Sequence, residues 1–377
     1  MPIFMDRHDI PGLTAMDVAE GHRQDIKIQH EYNCRALTYW FDETRGTAFC
    51  LIEAPAKEAV ERLHDDAHGL IPKRIIEVDS HLVAAFLGRI TDPETAVRND
   101  ELDLLVFQDP AFRTIMATEL KDAAMVKSGL GLVEGLKLLR DHSELIEEAI
   151  TEYDGQEVEK TADGLIASFS SASKAVQCAL EIQKRSVGRQ MPGVKMDVAI
   201  GLSAGEPVTG RGDFFGEAVQ LARRLCYIGD RGQVIVSSTV RDEYQREAID
   251  VLSPDDVIRI LSPLEEEFLN QLMDITENAW NKEQFNAGDF GQQIGLSKSQ
   301  FYRKMTALTG YSPSRFIKEY RLRRAIELIE KQQGNIAQIA LETGFSNPSY
   351  FSKCFQERFG VLPSDYAKAA LQGGAEI

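Results

Sequence analysis

No run of about 18 apolar residues occurs in the chain, so a membrane-spanning helix is not expected. The opening residues, MPIFMDRHDIPG, lack a basic start followed by an apolar stretch and do not read as a secretory signal. The five cysteines are odd in number and include no CxxC pair. That argues against a disulfide scaffold and for a reducing compartment, so the chain is expected in the cytoplasm, with no membrane partner. Low-complexity tracts are missing. Histidine nearly vanishes after residue 81: His8, His22, His30, His64, His68 and His81 are six of the seven.

What is present is globular composition, with 377 residues, 43% hydrophobic and 27% charged, enough for two or three domains. Forty-two basic against 59 acidic residues leave a net charge of −17. The charge is uneven. From Leu264 to Ile377 there are 13 basic and 14 acidic residues, a net of −1, so residues 1–263 carry −16 of the total. Within Leu296–Lys331 the balance reverses, 9 basic against 3 acidic. A local basic stretch in an acidic protein suits phosphate contact, although charge alone also fits a solvated helix face.

Residues 1–80 read as strand, helix, strand, strand, helix, strand. Met1–His8, Cys34–Phe41, Ala48–Ile52 and Ile75–Val78 are the strands; Thr14–His30 and Lys57–Ala67 are the helices. This βαββαβ order is the ferredoxin-like arrangement. His64 and His68 stand four apart, so both imidazoles share one helix face, a spacing suited to zinc, nickel or copper. His22 on the first helix and Cys50 on a strand are candidates to complete a site. The alternative is two exposed histidines and a buried thiol. The runs Gly21–Gln29, Tyr39-Trp40, Phe49–Pro55 and His64–Leu70 resemble a small bacterial nickel-binding family of short, dimeric, ferredoxin-like proteins. The resemblance implies a metal-binding or metal-sensing module with His22, His64, His68 and Cys50 as ligands.

Residues 112–250 alternate apolar strands (Phe112–Thr118, Met196–Leu202, Gln233–Ser237) with amphipathic helices (Gly131–Thr151, Ser171–Arg185) and a hairpin through Ala162-Asp163-Gly164. The stretches Glu159–Phe169 and Asp213–Cys226 resemble class III nucleotide cyclases. Cyclisation needs a positioned triphosphate, metal ions on two carboxylates and donors for transition-state charge. The resemblance implies metal carboxylates at Glu119 and Asp163, a base-reading Asp213, a transition-state donor at Gln220 and a phosphate-binding Arg224. Three positions depart from the pattern. Glu119 replaces an aspartate, with Asp122 a rival; Gln220 replaces an asparagine; and Glu159 holds the place of the base-reading lysine, with Lys160 next along. A regulatory or dimerisation domain with no catalytic residues is therefore expected. Nucleotide binding without turnover stays open.

Residues 264–372 hold two similar units. Asn286–Ile294 ends at Gly295, and Ser297 caps Lys298–Leu308. Ile336–Thr343 ends at Gly344, and Asn347 caps Pro348–Phe359, with proline at the first helical position. Each is a helix-turn-helix, and Pro313–Gln332 joins them. Leu296–Lys304, Gly310–Pro313, Tyr320–Ala325 and Ile336–Phe355 resemble AraC/XylS-type transcription regulators over about 105 residues. A recognition helix turns its first residues toward base edges. Those are Lys298, Ser299, Gln300, Tyr302 and Arg303 in the first unit, and Asn347, Ser349, Tyr350 and Lys353 in the second. Lys304, Arg315, Lys318 and Arg321 are expected on phosphates, which position without specifying. Packing is the rival role for Tyr302 and Tyr350.

The expected protein is multidomain α+β: a ferredoxin-like domain (1–80), a linker (81–111), a cyclase-like α/β domain (112–250), a linker (251–263) and an all-α double helix-turn-helix domain (264–372). It is read as a regulator, a homodimer on double-stranded DNA, responsive to a small ligand or a metal such as nickel, with RNA polymerase a further partner. An active cyclase tethered to DNA is the competing reading. A third treats the first domain as a dimer module that inherited its histidines.

Overall fold

The computed structural model describes residues 1–93, 96–99, 104–121, 123, 126, 132–161, 164–188, 197–210, 213–229, 232–247, 252 and 257–373. Asp122 and Asp163 lie outside the described residues.

The first domain follows the expected order: β1 (Ile3–Asp9), α1 (Ala15–Ile28), β2 (Arg35–Asp42), β3 (Thr47–Glu53), α2 (Lys57–His68) and β4 (Arg74–Val78). The strands pair as β2-β3-β1-β4, and every pairing is antiparallel. Thr14 and Asp17 close a capping box at the start of α1, and Gly69 (φ +73°) ends α2. Strand alternation sorts the side chains onto two faces. Phe4, Cys50 and Ile52 join a core with Val18, Val60 and Leu63 from the helices. Met5, Trp40, Phe49 and Leu51 lie on the other face and share a core with the middle domain. That face is therefore covered by the same chain.

Residues 81–111, read as a linker, hold a helix and a ribbon. Helix α3 (Ser80–Leu87), capped by Asp79, buries Val83, Phe86 and Leu87 between the two sheets. Strands β5 (Val97–Asn99) and β6 (Leu104–Val106) form the ribbon. Arg89 fastens the segment: it donates to Asp109 (2.9 Å) and to the Tyr39 carbonyl (2.6 Å), and lies 4.4 Å over the Trp40 ring.

Among the described residues the middle domain has six strands, β7 (Arg113–Lys121), β8 (Gln156–Lys160), β9 (Gly164–Phe169), β10 (Asp197–Gly205), β11 (Val234–Val236) and β12 (Ile258–Ile260), in the order β12-β11-β10-β7-β9-β8. Edge strand β12 comes from residues read as the second linker. Met116, Leu165, Val198 and Leu202 face α4 (Leu132–Glu152), α5 (Ala172–Gly188) and α7 (Ser238–Glu247) in one core. Ile115, Ala117, Ile166 and Ala199 face the first domain and α6 (Gly216–Ile228).

The C-terminal domain is all helix: α8 (Pro263–Ala279), α9 (Ala287–Ile294), α10 (Lys298–Thr309), α11 (Pro313–Glu330), α12 (Ile336–Glu342), α13 (Pro348–Phe359) and α14 (Pro363–Gly373). One core joins Leu225, Ile228, Ile235 and Leu261 of the middle domain to Phe268, Leu272, Phe290 and Phe301 of the first helical unit. The second unit has a core of its own, with Leu322, Ile339, Phe351 and Phe355. Among the described residues, no helix is long and apolar enough to cross a membrane.

Helix α6 lies directly on β10. A Cβ at Gly201 would stand 2.2 Å from the Ala222 carbonyl oxygen and 2.4 Å from the Cys226 nitrogen, so backbone would have to move. Gly201→Ala is expected to cost about 2 kcal/mol or more by overpacking, read as a lower midpoint in urea. An unchanged midpoint would contradict this packing.

Candidate functional site

Three constellations carry chemistry. The first lies between the sheet and helices of the N-terminal domain. Asp6 and His8 sit two residues apart on β1 and so project to the same face, toward α2. His64 on α2 reaches between two carboxylates, with Nε2 2.8 Å from Asp6 Oδ2 and Nδ1 3.1 Å from Asp25 Oδ1. His68 Nε2 lies 3.1 Å from His64 Nδ1 and 3.4 Å from Asp25. His8 Nε2 is 3.2 Å from the other oxygen of Asp6, which also accepts the Cys50 backbone N–H at 3.1 Å. The ligand atoms of Asp6, His8, Cys50 and His64 lie within 4.8 Å of one another, as do those of Asp25, His64 and His68.

Burial alone would depress the His64 imidazolium, but Asp6 and Asp25 overcome it and raise its pKa to about 10. Burial works against the Asp6 carboxylate too, yet His64 and His8 hold it well below the ordinary range. A proton thus sits where the two carboxylates converge. Burial, with Asp6 and Asp25 nearby, pushes the Cys50 thiol well above its ordinary value.

Imidazoles, a thiol and carboxylates form a donor set suited to a borderline divalent metal. Of the expected ligands, the structure sets Cys50 and His68 each beside His64, in two clusters that share it. His22 stands apart from both clusters; it is buried with neither ring nitrogen hydrogen-bonded, tilted against Tyr39 at 5.2 Å. Asp6, His8 and Asp25 escaped the sequence reading. The alternation of Asp6 and His8 on a strand was the available signal for two of them.

The second constellation is a cleft of about 920 Å³ between the middle and helical domains. Glu119, Asp213, Gln220 and Arg224 all line it. Glu119 and Arg224 are already paired, in both cases with the helical domain. Glu119 bonds Arg323 on α11 at 2.9 Å and Lys121 at 3.0 Å. Arg224, only 2% exposed, donates to Asn270 Oδ1 (2.8 Å), Asp274 (2.5 Å) and Glu277 (3.0 Å) on α8. Burial would raise the Glu119 carboxyl, but Arg323 and Lys121 hold it below the usual range. Glu159 pairs with Arg223 (2.6 Å) and Lys160 with Glu147.

The third constellation is the exposed face of the two helical units. Ser297 accepts the Gln300 N–H and Asn347 accepts those of Ser349 and Tyr350, fixing the first turns of α10 and α13. Phe301, Met305, Leu308, Phe351 and Phe355 are buried. Lys298, Ser299, Arg303, Lys304, Ser349 and Lys353 are exposed. Tyr302 and Tyr350 are 53% and 54% exposed, so packing does not account for them. Two candidate contacts are partly committed: the Gln300 carboxamide oxygen closes the capping box with Ser297, and the Asn347 oxygen is a cap. Arg315 lies 4.6 Å over Tyr311, and Lys318 is half-buried on the same helix.

Arg321 differs from expectation. Its guanidinium donates to the carbonyls of Trp280 (2.7 Å), Lys282 (2.8 Å) and Phe285 (3.3 Å), tying α11 to the loop after α8. Gly344 (φ +76°) packs on this strut, where a Cβ would stand 2.9 Å from Arg321 Nε. Arg321 therefore braces the two units, because three main-chain acceptors surround it.

Comparison with known proteins finds similarity at the two ends. Residues 291–369 match a family model described as a helix-turn-helix domain, and residues 4–78 match one described as nickel responsive protein SCO4226-like. Histidine kinase P4 of Formosa agariphila is 41% identical over 106 residues, 28% of this chain and 8% of that protein. The HTH-type transcriptional regulator ExsA of Pseudomonas aeruginosa is 33% identical over 81 residues, 22% of this chain and 29% of that protein. The chain thus spans less than a third of either relative. A solved adenylate/guanylate cyclase/hydrolase from Silicibacter pomeroyi is 33% identical, covering 36% of this chain and 81% of that one at a TM-score of 0.31.

His64 gives the chelator-treated protein a pH signature. Its raised pKa stabilises the fold fully below the ordinary value of 6.5 and loses that stabilisation as pH rises through about 10. The depressed Asp6 works oppositely, stabilising above 3.8 and losing this as pH falls. The domain is therefore expected to be most stable between these ordinary values, 3.8 and 6.5, in denaturant titrations across pH. His64→Asn, which removes the cation shared by two buried carboxylates, should cost about 3–5 kcal/mol and flatten the alkaline limb. A flat alkaline limb in the unmutated protein would contradict the imidazolium assignment.

Proposed function

We propose that this chain, whose residues 291–369 form an AraC-type helix-turn-helix domain and whose residues 4–78 form a domain of the nickel-responsive SCO4226-like kind, is a DNA-binding transcription regulator that senses a divalent metal. The observation that carries the reading is the pair of capped helices α10 and α13. Each has an aromatic core side and an exposed side bearing Lys298, Ser299, Tyr302 and Arg303, or Ser349, Tyr350 and Lys353. Two such helices on one rigid spine suit adjacent major-groove segments.

Metal sensing draws support from the donor cluster. His64 and His68, with His8, Cys50 and the carboxylates of Asp6 and Asp25, would hold the ion, and nickel is the first metal to test. The metal would supply a fixed charge that takes the place of the His64 proton and draws α2, α1 and β1 together. A change in DNA affinity requires the metal to favour one arrangement of the domains over another.

The middle domain is read as regulatory. The support is that Glu119 and Arg224 are engaged by Arg323, Asp274 and Glu277. No cyclic nucleotide is expected from ATP or GTP with magnesium or manganese at high protein concentration; clear product would favour the enzyme reading instead.

Selection of genomic fragments by the full-length protein should recover a defined operator. Arg303→Ala or Lys353→Ala should weaken that site by about 1–3 kcal/mol if the side chain reads a base, or weaken all sequences alike if it meets phosphate. Arg321→Ala should instead lower the unfolding midpoint as well as the affinity for every sequence. Calorimetric titration with nickel, zinc, copper and cobalt should give stoichiometric binding that His64→Ala abolishes. Equal binding in that variant would remove the metal-sensing half of the proposal.

A further inference from the structure

Strand β1 carries different chemistry on its two faces. Phe4, Asp6 and His8 turn toward the helices, where Asp6 and His8 enter the donor cluster with His64. Met5 and Arg7 turn the other way, toward the middle domain. The Arg7 guanidinium meets Glu206 Oε2 at 2.6 Å and donates to the Val208 carbonyl at 3.0 Å, just past the end of β10. The neighbouring strands reach the same place. Thr47 on β3 donates to Glu206 Oε1 at 3.0 Å, and Arg74 on β4, the register partner of Arg7, donates to the Gly210 carbonyl. Three adjacent strands of the first sheet thus hold residues 206–210 of the middle domain.

This segment is tied to the start of α6. The Phe215 N–H donates to the Pro207 carbonyl at 2.9 Å, and Phe215 itself stands at φ +54°, in the left-handed region that a bulky residue rarely adopts. Such a conformation is costly and persists only where surrounding contacts impose it. Phe86 of α3 stacks on the buried Phe215 ring at 4.8 Å, and Pro207 lies between the two residues that Arg7 grips. Gly216 follows and opens α6, whose Leu225 and Ile228 share a core with α8.

We propose that Arg7 and Glu206 form a relay through which the metal cluster governs residues 206–210 and the turn at Phe215, and so the root of α6. The inference rests on the metal-sensing reading above. Asp6 and His8, committed to one ion, would fix β1 on both sides of Arg7. Arg7 then holds Glu206 and Val208 in one position, and the strained turn at Phe215 loses its freedom to relax. By linkage, a loosened root weakens metal binding by the same factor as the metal tightens the root. Arg7 and Glu206 are positioning residues in this scheme, since neither belongs to the donor cluster.

The experiment is hydrogen–deuterium exchange of the full-length protein with and without nickel, alongside calorimetric nickel affinity. In the unmutated protein nickel should slow exchange in peptides covering 206–210 and 213–219 about fivefold, the lower end of couplings between linked sites. Arg7→Gln keeps every donor of the cluster. It should bind nickel about fivefold more weakly, with no slowing in those peptides. Nickel should still slow exchange in α2 of this variant, which a general loss of structure would not allow. If Arg7→Gln does not fold, Glu206→Gln removes the same ion pair from the other side while keeping an oxygen for Thr47, and the same results are expected. Equal slowing at 206–210 and 213–219 in the unmutated protein and in either variant overturns the relay. Tight nickel binding with no change there in the unmutated protein also overturns it, and leaves metal sensing intact. Absence of nickel binding in the unmutated protein removes the metal-sensing reading and the relay together.

Discussion

The close seat of α6 on β10 is the constraint on which the C-terminal half depends. Glycine at 201 and alanines at 218 and 222 let a helix backbone approach a strand backbone with no side chain between. Leu225 and Ile228, on the last turns of the same helix, join the core on which α8 packs. The approach also delivers the C-terminal carbonyls of α6 to Lys121, a cation placed where the helix dipole favours one. Lys121 in turn holds Glu119 ionised, and Glu119 holds α11. One short contact thus runs through to the position of the capped helices α10 and α13.

The first domain and the seam beside the helical domain use sheltered charge in a related way. In the first domain an imidazolium sits between two carboxylates; in the seam a carboxylate sits between a lysine and an arginine. In both, low polarity makes an unpaired partner costly, so removing one member does more harm than the intact set does good. Such clusters suit a sensor. They have a definite arrangement, and an ion of the right charge can take one member's place.

The first domain is also packed on its second face. Its sheet face opposite the helices carries Met5, Trp40, Phe49 and Leu51, apolar residues that are costly to leave in water. Here α3 and the middle sheet cover that face, and Arg89 pins the crossing. A shift in this domain on binding metal would meet the middle domain through a packed interface.

Local pattern was enough for much of the architecture. Strand alternation, helical periodicity and the caps at Thr14, Ser297 and Asn347 act within a few residues, so the ferredoxin-like order and both helix-turn-helix units were legible in the sequence. The HxxxH pair was legible for the same reason, since one helix sets its spacing. Asp6, His8 and Asp25 were harder, because their meeting with His64 depends on how β1 and α1 stack against α2. The pairing of Glu119 with Arg323, 204 residues apart, the conversion of Arg321 from a phosphate contact to a brace, and the packing of residues 81–111 had no local signature. The sequence by itself determined the elements and the chemistry each one carries. The tertiary structure alone decided which charges face each other, because ion pairing depends on distance and burial, and both arise only when the domains close together.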